Sequence, residues 1–466
     1  MLVADLHYDL LFGRPGGYGV CNQGQQSMTT PGCDSPLTLI QSVMEDISKW
    51  KGKFTLFTGG LLRHGAETTT THEIQLMMNE VIDVLSMTAQ VNATAGDEDG
   101  LSSTQLALGE TDFIPSGTFT PDGKQPFYER LLDKMLSSGL LTSTEYSRML
   151  SCGFYYRDLS GTKLRVISLN TILWSTSLRP SLGVGDVDPC GQFPFLESAI
   201  EQATQRGRNV IILGDTPPVL NVADALRRKS VKDAAYYWRE DFREAYFRII
   251  AAYRFTVAAQ IFGHTNTFGF VASNTVGPPL YIIPSVSPLR GSNPSYMRAT
   301  LDPITGRVVA MRQRYLHENG TWVDGENLED AITVPLRGLG EHSQKDHMSI
   351  VNDAAQWERL AKLRLGGRFL TDRETCDMWC RRLIVCSSLY YDKDDIAHCA
   401  SLDLPSQKVG LILAIVFTGF GVSSIILAFA YIFSHYSIVF EPPLVLETSK
   451  GRHGLFASHS TEGVFR

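Results

Sequence analysis

Short apolar runs that end in glycine or polar residues recur along most of this chain, with amphipathic stretches between them. Residues 1–4 and 54–57 predict strands, and between them Leu37 to Lys51 has helical periodicity after Pro36. Residues 73–90 predict a second amphipathic helix, and a Gly/Asp/Ser/Thr-rich loop follows. Strands are expected at 105–108, 164–169, 209–213 and 256–262. Helices are expected over 127–150 in two pieces split at Ser137-Ser138-Gly139, at 195–205 and at 236–253. Strand, polar loop and helix thus alternate, which predicts an α/β fold with a largely parallel or mixed sheet covered by helices. Segments 267–272, 280–283, 297–301 and 307–316 read as antiparallel strands. A helix is expected at 353–363, and 371–400 is partly helical.

The pattern changes near the end. Val409 to Phe433 carries no charged residue. At about 1.5 Å rise per residue it spans a bilayer core of roughly 30 Å, and it predicts a single transmembrane helix. The expected organisation is a large domain over 1–340, a cysteine-containing helical region over 341–408, the membrane helix over 409–433 and a short tail over 434–466. Residues 1–4 run straight into the first motif without a signal peptide. Either the start is truncated or translocation depends on the C-terminal anchor.

Composition narrows the function. The net charge is -7, and no basic stripe or aromatic–basic interleaving is present, so a nucleic-acid groove is not expected. The cysteines fall at local spacings: Cys21 with Cys33, Cys152 with Cys190, and Cys376, Cys380, Cys386 and Cys399 together. Beside a membrane segment, an even count points to an oxidising compartment and local disulfides. Free buried thiols, and a four-cysteine zinc site in the last group, are the alternatives. The sequons at Asn92 and Asn319 fit a glycoprotein whose large domain is lumenal or extracellular, with the tail cytosolic.

Five strand ends carry candidate ligands, in this order: Asp5-Leu6-His7, Thr58-Gly59-Gly60 through Arg63-His64, Gly109-Glu110-Thr111-Asp112, Gly214-Asp215-Thr216-Pro217-Pro218, and Gly263-His264-Thr265-Asn266. Strand ends of such folds aim side chains from several strands at one point. These motifs resemble those of calcineurin-like metallophosphoesterases, and more narrowly of the acid sphingomyelinase and endopolyphosphatase branch. The narrower likeness rests on Gly32-Cys33-Asp34-Ser35-Pro36, Arg63-His64, Asp215-Thr216-Pro217-Pro218, Phe262-Gly263-His264-Thr265 and the stretch from Pro284 to Tyr296. It covers roughly residues 1–316.

The resemblance implies a calcineurin-like phosphoesterase β-sandwich with flanking helices. It also implies divalent cations, zinc foremost, clamping a phosphoryl group and activating water. The substrate would be a phosphodiester of phospholipid type, another phosphoric ester or a polyphosphate chain. Carried over residue by residue, Asp5 and His7 are intact for one metal and His264 for the other. Gly60 stands where the bridging Asp belongs, and Thr111 where the catalytic His belongs. Glu110, Asp215 and Asn266 replace an Asn and two His, and still offer oxygen donors. His64 is the remaining candidate for a catalytic role near the phosphate.

Three readings stay open. In the first the site is degenerate and activity is impaired or lost. In the second one metal persists, held by Asp5, His7 and Asn266 or by Glu110, Asp215 and His264. In the third the chain is an active metal-dependent phosphodiesterase with rewired ligands. Without metal, the acidic replacements would repel a phosphate group.

Overall fold

Side chains that alternate along each strand build two apolar layers, and these set where the strands end. The computed structural model describes residues 1–401 apart from Gln25, Lys51, 93–102, 120–124, 182–187, 274–276, 333–345 and 369–375. One sheet takes β1 (Leu2–Val3), β2 (Thr55–Phe57), β3 (Thr104–Leu106), β10 (Ser295–Leu301), β11 (Val308–Leu316) and β12 (Trp322–Asn327), in the order β12-β11-β10-β1-β2-β3. The other takes β4 (Tyr155–Asp158), β5 (Leu164–Ser168), β6 (Asn209–Leu213), β7 (Val257–Phe262), β8 (Gly269–Val271) and β9 (Leu280–Ile282), in the order β4-β5-β6-β7-β9-β8.

Leu2, Leu56 and Met297 of the first sheet meet Val166, Ile211, Leu213 and Ile261 of the second in one buried layer. Their neighbours Val3, Phe57, Ile167 and Ile212 belong to the layer formed with helices 37–48, 71–92, 192–205 and 240–252. Gln105 ties the sheets across the middle, donating to Val166 O at 3.1 Å and Ser168 Oγ at 3.2 Å. This is the expected sandwich with flanking helices.

β1, β2 and β3 run parallel, as do β5, β6, β7 and β9. One expectation is corrected: 280–283 is not purely antiparallel, because β9 pairs β7 in parallel and only β8 in the opposite sense. The chain between β8 and β9 is a short return, while the approach from β7 reverses first through β8.

Near the ends of β1 and β9 the sheets meet directly, where Ala4 bridges Ser285. Gly263 permits this approach, since a Cβ there would lie 2.3 Å from Thr58 Oγ1. The predicted ligand motifs follow β1, β2, β3, β6 and β7, so both sheets deliver them to this edge.

All eight cysteines form disulfides: Cys21–Cys33, Cys152–Cys190, Cys376–Cys380 and Cys386–Cys399. The four-cysteine zinc alternative is therefore corrected, because a disulfide sulfur has no thiolate to give a metal. Four disulfides are the mark of a chain that matures in an oxidising compartment. Asn319 is exposed between β11 and β12, whereas the side chain of Asn92 lies outside the described residues. The predicted span 409–433 and the tail also lie outside them. Among the described residues no helix is long and apolar enough to cross a membrane.

His347 sits wholly buried against the C-terminal helices, with Nε2 at 2.7 Å from Ser388 Oγ and its ring 5.7 Å from Phe270. Burial pulls its pKa down to about 4. As pH falls through 6.5 the unfolded chain takes up this proton and the folded chain does not. The stabilisation is therefore complete above about pH 6.5 and is lost as pH drops toward 4, by about 3 kcal/mol in all. Urea unfolding at pH 7 and 4.5 should show this loss, and His347→Gln should reduce it.

Candidate metal centre

The backbone itself places the ligand positions. Asp5, His7, His264 and Asn266 all adopt left-handed φ values, of 53°, 44°, 68° and 60°. For residues other than glycine each such conformation costs on the order of 1–3 kcal/mol and persists only where surrounding bonds fix it. Those bonds are present. Asp5 N donates to Gly59 O at 3.1 Å, His7 N to Gly60 O at 2.7 Å, and Ser287 N to Asp5 O at 3.0 Å.

Asp5, His7, His64, Glu110, Asp215, His264 and Asn266, all predicted from sequence, line one cleft. They divide into paired groups. Asp5 Oδ1 lies 3.6 Å from His7 Nε2 and accepts from His264 N at 3.2 Å. Asp215 Oδ2 lies 3.5 Å from His264 Nδ1 and accepts from Glu110 N at 3.3 Å and Thr216 Oγ1 at 3.1 Å. The Glu110 carboxylate is engaged by Ser177. Asn266 Nδ2 donates to His264 O at 2.9 Å.

Charge follows from these pairings. Burial opposes a proton on His7. It is outweighed by the hydrogen bond to Asp5 and by the charges of Asp34 and Asp5, which lift the pKa to about 9. His264 is raised in the same way, burial being overcome by Asp215, Glu110 and Asp5. Glu110 is raised mainly by burial.

His64 is held rather than free. Asp34 binds its Nδ1 at 3.0 Å and its backbone N at 2.8 Å. Its ring lies 4.1 Å from the ring of His7 and stacks on Tyr18 at 5.2 Å. Burial and the charge of His7 lower its pKa, and the bonds to Asp34 offset them only partly. Tyr18 and Asp34 both come from the loop that Cys21–Cys33 closes. In the sequence Asp34 stands only as part of the Gly32-Cys33-Asp34-Ser35-Pro36 motif, with no partner indicated. His7, Asp34 and His64 also bring one ligand atom each within 4.8 Å of one another.

Asp112 was quoted in a motif without a role. Its Oδ1 accepts from Leu61 N and Leu62 N at 2.7 and 3.2 Å, and its Oδ2 from Gly60 N and Gly109 N at 3.1 and 2.8 Å. It is fully buried and pins the loop after β2 to the loop after β3. Tyr237 is a second residue that the sequence did not signal. It packs edge-on against His264 at 5.3 Å.

Asp5 Oδ2 and Asn266 Oδ1 are buried oxygens with no hydrogen-bond partner, which fits a hard cation beside His7. The two groups touch through Asp5 Oδ1 and His264 N, but among the described residues no carboxylate stands at position 60 to be shared between them. Gly60 has no side chain, and a Cβ there would already lie 3.0 Å from both Asp5 Oδ1 and His7 Cε1.

No protein-family model matches the chain. It is 26% identical over 392 residues to a Mus musculus protein named acid sphingomyelinase-like phosphodiesterase 3b, covering 79% of this chain and 80% of that one. It is 27% identical over 350 residues to cyclic GMP-AMP phosphodiesterase SMPDL3A of Bos taurus, covering 70% and 72%. Among solved structures, a dimetal phosphatase from Danio rerio superposes with a TM-score of 0.40 at 12% identity, covering 68% of this chain and 92% of that one. That superposition is too loose to bear on the chemistry.

Proposed function

For a chain whose relatives are acid sphingomyelinase-like phosphodiesterases of the calcineurin-like metallophosphoesterase type, we propose that the phosphoesterase cleft is kept but two-metal hydrolysis is lost or strongly impaired. The observation that carries this reading is Gly60, set directly against Asp5 and His7 with no side chain to join the two ligand groups. Two cations at about 3.5–4 Å need a shared anion between them. Glu110 stands on a different motif from position 60, beside Asp215 and His264, with Ser177 also bonding its carboxylate. Thr111 adds to the loss, since a hydroxyl has no proton to give a leaving group near neutral pH.

A second reading, slow hydrolysis at a mononuclear site, is favoured by the partnerless oxygens of Asp5 and Asn266. In that reading Asp5, His7 and Asn266 hold one divalent cation, zinc foremost, and the cation supplies Lewis acidity toward a phosphoryl oxygen. The candidate substrates are phospholipid-type phosphodiesters and related phosphoric esters. Residues 409–433 would anchor the chain in a membrane of the secretory pathway, lysosome or cell surface. The disulfide-bonded domain and a glycan at Asn319 would then lie on the lumenal or extracellular side.

Elemental analysis of the purified full-length protein tests the proposal, with sphingomyelin and bis(p-nitrophenyl) phosphate as substrates. The expected result is at most one equivalent of divalent metal, lost in Asp5→Ala and kept in His264→Ala, with little or no turnover. Two equivalents with metal-dependent turnover would overturn it.

A further inference from the structure

The cleft does not stop at the ligand residues. It has a volume of about 680 Å³ and runs on past Tyr237 between Phe268, Phe270, Ile282, Leu360 and Ile396, which are apolar and almost wholly buried. A second cleft of about 650 Å³ lies under the C-terminal helices and is lined by Trp357, Trp379 and the Cys376–Cys380 disulfide. The two clefts share three residues: Leu226, Ile384 and Arg364. Helices 222–228, 378–387 and 354–364 each supply one of them.

Arg364 is the unusual member. It ends its helix, and its carbonyl is used by Phe268 N at 3.1 Å. Its guanidinium makes no ion pair and no hydrogen bond among the described residues. The carboxylates that line the same clefts are engaged elsewhere. Asp377 caps its own helix by accepting from Cys380 N at 2.8 Å. Asp215 and Asp5 are taken up by His264, and Glu110 by Ser177. Among the described residues Tyr237 is the group that favours the charge on Arg364. Burial lifts the Tyr237 hydroxyl to about 12, so it remains neutral.

Arg364 is partly exposed where the two clefts join, and with no carboxylate paired to it among the described residues its charge is open to an anionic ligand. Burial draws the pKa of Arg364 down only to about 10, so the charge persists at neutral pH. A planar guanidinium offers paired donors that match a carboxylate or a phosphate. We propose that the joined clefts bind an anionic single-chain amphiphile, its head on Arg364 and its chain along the apolar wall formed by Phe268, Phe270, Ile282, Leu360 and Ile384. This site is distinct from the metal ligands and does not depend on whether the chain hydrolyses anything.

The test is binding of decanoate, decanol and acetate to the full-length protein, followed through the fluorescence of Trp357 and Trp379 and by calorimetry. A chelator is present throughout, so that a carboxylate held by a divalent cation is not counted. Decanoate should bind at least tenfold more tightly than either decanol or acetate. In Arg364→Gln, decanoate should fall to the level of decanol, while the melting temperature stays the same, because among the described residues the guanidinium holds no ion pair or hydrogen bond that the change would remove. Equal binding of decanoate to the parent and to Arg364→Gln would overturn the proposal. So would acetate binding as tightly as decanoate, which would mean an anion site without a chain site. Failure of all three ligands to bind would overturn it as well, and would leave the metal-site proposal untouched.

Discussion

A Gly60→Asp variant should take up a second equivalent of divalent metal and gain hydrolysis of bis(p-nitrophenyl) phosphate on the order of 100-fold over the parent chain. That corresponds to about 3 kcal/mol of the several that clamping by two metals supplies. Position 60 has φ of 69°, a region that Asp tolerates better than most residues. The new carboxylate would start beside Asp5 Oδ1 and His7 Cε1, where a shared ligand belongs. Without metal it adds a negative charge next to Asp5, so the variant should melt lower in chelator and recover when zinc or manganese is added.

The choice of substrate matters here. Nitrophenolate leaves without a proton, so Thr111 does not limit this reaction. Adding Thr111→His should then help only esters with poor leaving groups, by roughly 100-fold. No second equivalent of metal in a folded Gly60→Asp protein would show that more than the bridge has been lost.

Asp112→Ala should be the most damaging single substitution near the cleft, costing at least about 4 kcal/mol. One carboxylate satisfies four buried amides, those of Gly60, Leu61, Leu62 and Gly109. Alanine leaves all four unpaired, at roughly 1 kcal/mol or more each. Asparagine separates the two sides of the carboxylate. Its one oxygen can keep Leu61 and Leu62, but its amide would then face the donors Gly60 N and Gly109 N. Asp112→Asn should therefore recover about half of the loss. Chemical denaturation of the three proteins measures both values. An alanine variant as stable as the parent would mean that water replaces the carboxylate.

The strand-end motifs made the cleft legible because each lies a residue or two beyond an apolar run, and the fold brings such ends together. Their partners were harder to see. Asp34 reaches His64 across twenty-nine intervening residues of loop, helix and strand, and it follows directly on the closed Cys21–Cys33 loop. Asp112 serves backbone amides, which leave no trace in side-chain composition. β4 is hard to read because one of its two inward residues is Arg157, buried by pairing with Glu145 at 2.6 Å rather than by being apolar. β12 reads WVDGEN, too polar to stand out, and holds its place by pairing along β11. Helix 222–228 is short and capped by Asn221 through Asp224 N at 2.9 Å, a local signal that periodicity does not register. The missing bridge at Gly60 is an absence of side chain, legible only through the resemblance.

The left-handed turns at Asp5, His7, His264 and Asn266 are fixed by main-chain bonds and by the junction of two sheets. Upkeep of the cleft is therefore separate from its cargo. Exchanging a side chain where main-chain bonds hold the corner changes what is grasped and leaves the grip standing, whereas Asp5 and Asn266 also steady the turn at His264 through their own side chains. A lineage can then pass through intermediates that catalyse nothing without passing through any that fail to fold. Glycine would have made these four turns more cheaply, so the side chains placed there are the part of the cleft that is open to change.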